Sequence, residues 1–246
     1  MESIRMKRII ALAFLALNLL SPAAYASWNP ELGIGLTVDK GNNDRNVVVF
    51  DFQARKKKDK VDFKTLSSFS YEDGKNREAI KKADHNSKIN YYFNQDILFF
   101  SSLDIFHNSG AGIDYRIAPG FGAGLVIARK DVLDTLVYNI TANLGVNPII
   151  ESMAHRGRET KGYYLLIQEM EYNFNSRTRL NERLDYRPNF SKPSNYLLDY
   201  FIMLENAISR KFSFRTTLRL KYDSNPDLGR EKTDLSFVLS LGYKLY

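Results

Sequence analysis

The sequence predicts an all-β protein, a transmembrane antiparallel β-barrel of about twelve strands preceded by a cleavable signal peptide, and three observations predict it. The first is the N-terminus. Arg5, Lys7 and Arg8 form a basic stretch, Ile9–Leu20 is apolar, and Ala24-Tyr25-Ala26 is a small-x-small cleavage site followed by Ser27. The apolar run is shorter than the ~20 residues a membrane helix needs, so it reads as a leader over residues 1–26. The second is the C-terminus, where Leu235, Phe237, Leu239, Leu241, Tyr243 and Leu245 alternate with Asp234, Ser236, Val238, Ser240, Gly242 and Lys244. A two-residue period puts one face of such a strand toward lipid. The third is composition: 15 Tyr, 16 Phe and 1 Trp make the chain 13% aromatic, which suits interfacial girdles at strand ends.

Taken in order, Glu31–Val38 is the first strand, closed by a Lys-Gly-Asn-Asn-Asp turn at 40–44. Asn46–Arg55 sets Val48, Phe50, Phe52 and Ala54 against Asp51 and Gln53. Lys56-Lys57-Lys58-Asp59-Lys60 turns the chain into Val61–Tyr71, where Val61, Phe63, Phe69 and Tyr71 oppose Asp62 and Lys64. After the polar stretch 72–82 come Ala83–Phe93, the tight turn 94–96, and Ile97–Phe106 and Ile113–Ile127 around a Gly-containing loop. Ala128–Asp131 reads as a turn into Val132–Gly145, and 146–161, with Pro148, His155, Arg156 and Arg158, as the longest loop. Gly162–Phe174 and Arg179–Arg187 follow, then Pro188–Ser194, whose two prolines suit a departure from the sheet. Asn195–Asn206, Phe212–Tyr222 and the C-terminal strand complete the twelve. With both ends on the inner side, every second connection is short and connections 3–4, 7–8 and 11–12 are long and outward, as such barrels require.

Composition excludes several classes. After the leader no run of 18 apolar residues exists, which excludes a helical membrane protein. A mean hydropathy of −0.35 is compatible with a barrel, because only alternate residues meet lipid. The net charge of +7, less the leader's +2, leaves +5, and export argues against a nucleic-acid partner. No cysteine is present, so there is neither a disulfide scaffold nor a thiol nucleophile.

Two motifs carry a family resemblance. Gly112-Ile113-Asp114-Tyr115-Arg116 leads into Gly120-Phe121-Gly122-Ala123-Gly124, and Tyr222-Asp223-Ser224-Asn225-Pro226 precedes Lys232-Thr233-Asp234 and Leu241-Gly242-Tyr243. Together with Gly-Asn-Asn-Asp at 41–44, the chain resembles the salt-induced outer-membrane proteins, an outer-membrane β-barrel domain of unknown function. The resemblance implies location in the outer membrane and no established activity, so it brings no catalytic residues. One departure is the end of the chain: Tyr246 falls out of phase behind Leu245, so the assembly signal is expected at Gly242, Tyr243 and Leu245 with Tyr246 overhanging.

The polar faces are the candidate functional surface. They direct Asp51, Asp62, Lys64, Asp104 and Arg116 into the lumen from the first half, and Glu169, Glu171, Arg183, Asp185, Arg187, Asp199, Glu205, Arg215, Arg219, Lys221 and Asp234 from the second. Two readings stand side by side: a narrow polar channel for ions or small solutes, or an envelope-stress barrel of that kind, and a non-conducting structural or surface-binding barrel closed by ion pairs. Gly120, Gly122 and Gly124 share a face and are expected to leave room for bulky neighbours such as Arg side chains, or to bend the strand. A third class, a lipid or peptide hydrolase, rests on Ser152 and His155 in the long loop. Without an orienting group at a fixed strand position that spacing does not make a catalytic site, and the expectation is no enzyme. His85 falls near a strand mouth and His107 in an outer loop, and no two histidines have metal-ligand spacing, so no cofactor is expected. The expected partners are outer-membrane lipids, lipopolysaccharide (met by basic loop residues such as Lys75, Arg77, Arg156 and Arg158) and the assembly machinery during biogenesis, with a monomer as the resting state.

Overall fold

The computed structural model describes residues 28–42, 45–72, 80–133 and 135–245; the leader with its cleavage site, Lys75, Arg77 and Tyr246 lie outside the described residues. Twelve strands run in chain order: β1 Asn29–Lys40, β2 Arg45–Lys58, β3 Val61–Glu72, β4 Ile80–Tyr92, β5 Ile97–Asn108, β6 Ile113–Val132, β7 Thr135–Met153, β8 Gly157–Asn173, β9 Thr178–Pro188, β10 Tyr196–Ala207, β11 Phe212–Asp223 and β12 Thr233–Lys244. Each pairs antiparallel with its sequence neighbours, and β1 closes the ring on β12 from Glu31↔Lys244 to Lys40↔Leu235. Closure removes the unpaired edge that hydrocarbon would not tolerate.

The two-residue period sets the faces. On β1, Leu32, Ile34, Leu36 and Val38 are exposed on the outer wall, while Glu31, Thr37 and Asp39 are buried inside. On β12, Phe237, Leu239, Leu241 and Tyr243 face out, as does Leu245 just after it, and Ser236 and Ser240 are buried. The turn after β1 passes through Gly41 at φ 107°, a conformation open to glycine.

The largest departure from the sequence-based expectation is at 146–161. This is no long loop: β7 runs to Met153, β8 starts at Gly157, and only residues 154–156 turn. Pro148 sits inside β7 because its missing N–H falls where the β6–β7 ladder skips, between Ile117↔Ile150 and Phe121↔Val146. Pro119 of β6 lies in the same gap, and Asn147 Nδ2 donates to the Pro119 carbonyl at 2.7 Å in place of the lost ladder bond. Similarly, 128–131 is strand, with irregular pairing at Val126/Ala128 and Lys130/Asp131, and the chain turns afterwards at Leu133, φ 47°.

Candidate functional site: the barrel interior

Inward-facing side chains divide the lumen into two unlike parts. On the β5–β8 side the filling is apolar: Leu98 and Phe100 of β5 meet Leu165 and Ile167 of β8, all buried. They reach one another across β6 and β7 because glycine stands between them. A Cβ on Gly120 would lie 2.7 Å from Leu165, and one on Gly145 would lie 2.9 Å from the Phe100 ring. The glycine file of β6 therefore makes room for a bulky neighbour, as expected, but at Gly120 that neighbour is Leu165 and not an arginine, and at Gly122 it is the β7 backbone. The glycine that makes room for an arginine is Gly33 on β1, whose Cβ position is taken by the Arg215 guanidinium and the Asp51 carboxylate.

Farther along these same strands and around the rest of the ring the interior is largely charged, and the charges bridge strands far apart in the ring. Arg55 of β2 reaches Asp62 on β3 at 2.8 Å and Glu171 on β8 at 2.9 Å, and β8 lies opposite β2 in the ring. Lys64 stands 3.6 Å from Glu171, and Lys88 of β4 pairs with Glu169. Arg183 binds Asp185 at 2.7 Å and Asn86 of β4 at 3.0 Å. Arg187 joins three carboxylates, Asp104 at 2.8 Å, Asp185 at 2.6 Å, and Asp199. Arg215 holds Asp51 at 2.6 Å, Arg179 holds Glu205 at 2.8 Å, and Arg116 spans from Glu151 at 2.8 Å to Asp223 at 3.1 Å. Lys221 pairs with Asp84 at 2.6 Å while its ammonium sits 3.8 Å from the Phe106 ring centre. Arg219 lies over Phe201 and donates to Ser68 at 3.0 Å. Opposite charges at these distances offset the several-kcal/mol cost of removing each from water. Between the networks remains a cavity of about 480 Å³ lined by both signs of charge.

Fifteen of the sixteen charged residues expected in the lumen join these contacts. Asp234 instead accepts the Asn42 backbone N–H at 2.8 Å and closes the first outer turn. Sequence reasoning missed Arg55, Lys82, Asp84, Lys88, Glu151, Arg179 and Asp223. The signal for those on β4 was their shared phase, but its opposite face carries His85 and Ser87 where apolar residues were needed to make the alternation visible.

The outer mouth is crossed by residues 224–232. Asp227 is buried there and accepts from the His155 ring at 2.9 Å and the His155 backbone at 3.1 Å, while Arg156 donates to the Asn225 and Pro226 carbonyls. Burial pushes the Asp227 carboxyl up, but the His155 hydrogen bonds and the Leu228 amide outweigh it and hold its pKa below the ordinary 3.8. Ser152 and His155 do not form a pair: the Ser152 hydroxyl donates to Asp114 at 3.2 Å. His107 belongs to β5, with its ring on the Asp114 carbonyl at 2.7 Å, and His85 lies in the middle of β4 and not at its mouth. At the C-terminus, Tyr243 and Leu245 face out, and Gly242 faces in against Glu31 and Ser213. Among the described residues no group of His, Asp and Glu is placed to hold a metal ion.

A model of the family described as "Protein of unknown function, DUF481" matches residues 32–245. No curated protein matches the chain by sequence. Among solved structures, the chain is similar in fold to the NanC porin, with 10% identity, a TM-score of 0.55, and coverage of 87% of this chain and 100% of that one. Weaker likenesses reach the KdgM porin (9% identity, TM-score 0.49, 88% and 99% covered) and the COG4313 outer membrane channel from Pseudomonas putida F1 (11%, 0.48, 89% and 94%). The NanC porin shares the barrel fold with this chain; at such identity no activity follows from it.

Proposed function

The chain belongs to that family of proteins of unknown function, and on this premise we propose that it is a narrow passive channel of the outer membrane for ions or small solutes. The observation that carries the reading is the contrast within one lumen. Leu98, Phe100, Leu165 and Ile167 show that this barrel fills space with apolar side chains where only filling is required. Around the 480 Å³ cavity, beside apolar residues such as Phe106, Ala118 and Ile149, it also keeps many paired charges. A well-packed apolar replacement for a buried ion pair is often neutral or stabilising by ~1–4 kcal/mol, so stability alone does not favour the charges. A wet passage does, because both signs then exchange hydration with permeant ions.

The reading includes export by the 1–26 leader, folding by the assembly machinery on the Gly242–Tyr246 end, and a monomer surrounded by lipid and lipopolysaccharide. Purified folded protein in planar bilayers should open in small, ohmic steps that grow with salt. A second reading, a sealed barrel, draws on the same struts, since Arg55–Glu171 crosses the whole ring. Absence of openings in any salt would establish sealing and end the channel proposal; under sealing, Arg215→Ala and Asp199→Ala change stability alone.

A further inference from the structure

On the outer wall, strands β3 and β4 carry a polar constellation where apolar side chains are due. His85 and Ser87 of β4, and Thr65 and Ser67 of β3, all fall in the lipid-facing phase, with Ser67 opposite His85 and Thr65 opposite Ser87. They are connected. Ser87 Oγ lies 2.8 Å from His85 Nε2, Ser67 Oγ 2.8 Å from His85 Nδ1, and Thr65 Oγ1 3.0 Å from Ser87 Oγ. Exposed apolar residues frame the group on the same wall, Phe69, Ile89 and Ile105 among them. Polar groups facing hydrocarbon cost several kcal/mol unless they bond one another, and valines here would avoid the cost altogether. The arrangement is therefore retained for something other than the wall.

Its chemistry is that of an activated serine: a nucleophile in hydrogen-bond reach of a base, and the base oriented by a third group on a neighbouring strand. Position adds a substrate. The group stands in the middle of β4 on the lipid-facing wall, and the acyl esters that reach that wall are those of membrane lipids. We propose that Ser87, His85 and Ser67 form a lipid-facing esterolytic site that cleaves acyl esters of membrane lipids, an activity distinct from conduction through the lumen.

In the productive tautomer, Ser67 Oγ accepts from Nδ1–H and Nε2 is free to accept the Ser87 proton. Ser87 Oγ attacks the ester carbonyl as His85 takes that proton, with the Thr65 hydroxyl offering a donor to the oxyanion. Collapse breaks the ester C–O bond, and His85 protonates the departing alkoxide. Water then attacks the acyl-serine and passes its proton to His85. Ser87 leaves with that proton, so fatty acid and a lyso-lipid are the products. Ser87 and His85 are catalytic residues; Ser67 is a positioning residue.

The test uses the folded barrel in detergent with a fluorophosphonate probe, and separately with mixed micelles of diacyl phospholipid or of lipopolysaccharide. Expected are covalent label mapped to Ser87, its loss in Ser87→Ala and His85→Ala, and a 10²–10⁴-fold fall in fatty-acid release in both variants. Which micelle yields fatty acid identifies the source of the ester. Ser67→Ala should lower kcat with KM unchanged, and Ser67→Thr should restore it. Heat-modifiable gel migration identifies variants that fold, and only those are compared. Label absent from folded wild type, found on another residue, or surviving His85→Ala, or no fatty acid released from either lipid, overturns the proposal.

Discussion

Consider Arg187→Met. Arg187 is buried at 4% exposure and binds three carboxylates at once: Asp104 at 2.8 Å, Asp185 at 2.6 Å, and Asp199. Methionine keeps the length and removes the charge, so the outcome depends on what each carboxylate retains. Asp185 keeps Arg183, with contacts of 2.7 and 2.9 Å, and Asp104 keeps the Asn86 amide. Asp199 loses its ion pair, but its side chain is 33% exposed to the cavity. Breaking a buried pair costs ~3–5 kcal/mol; with two partners still bonded and the third partly wet, the lower end applies, about 3 kcal/mol. That is about 10²-fold in the unfolding equilibrium. Trp28, the single tryptophan, reports it in guanidinium titrations of the barrel in lipid vesicles, because its ring packs edge-on against Phe63 at 5.0 Å. Adding Asp104→Asn and Asp199→Asn should recover most of the loss, since the stranded charges go with them. A loss under about 1 kcal/mol, or no recovery in the triple variant, would refute the view that this network is a set of buried, mutually dependent charges.

The other predictions test different parts of the molecule. Leu98→Ala opens space in the fully buried β5–β8 filling and should cost ~2–5 kcal/mol in the same titration while raising bilayer conductance. Gly145→Ala places a methyl against the Phe121 backbone and 2.9 Å from the Phe100 ring; a loss of ~1–3 kcal/mol, or failure of heat-modifiable folding, is expected. The Asp227 pKa is depressed in the folded state, so the latch it makes with His155 is fully present above the ordinary carboxylate pKa of 3.8 and lost as pH falls through the lower folded value. Hydrogen exchange across residues 224–232 should therefore accelerate only below about pH 4, and in Asp227→Asn it should be fast at every pH.

How much was legible in the sequence follows from which constraint each residue answers to. The strand number and the wall were legible because lipid imposes one requirement on every strand, and β1 and β12 answer it with unbroken alternation. The 146–161 hairpin was not, because Pro148 is a local signal for leaving a sheet, overridden by a ladder gap that Pro119, 29 residues earlier in the sequence, helps to make. The glycines of β6 were legible as a face that leaves room for bulky neighbours, but not which neighbour takes it. Which side chain enters a gap depends on strands two places away in the ring, and no local pattern carries that.

Strand β4 shows why the two candidate sites were obscured together. Its inner face supplies Lys82, Asp84, Asn86 and Lys88 to the lumen network, and its outer face supplies His85 and Ser87 to the wall. Over Asp84–Lys88 the strand is polar on both faces and loses its hydropathy alternation, so the pattern there does not tell lumen from wall. Neither face is fully satisfied by the strand itself. The inner charges need β8, β9 and β11, and the outer imidazole needs Ser67 of β3. The inner requirement is met only once the ring has closed, the outer one once β3 and β4 have paired. Where a barrel wall departs from alternation without losing its ladder, the departure itself is the functional signal, because lipid on one side and desolvation on the other penalise every such residue that serves no purpose.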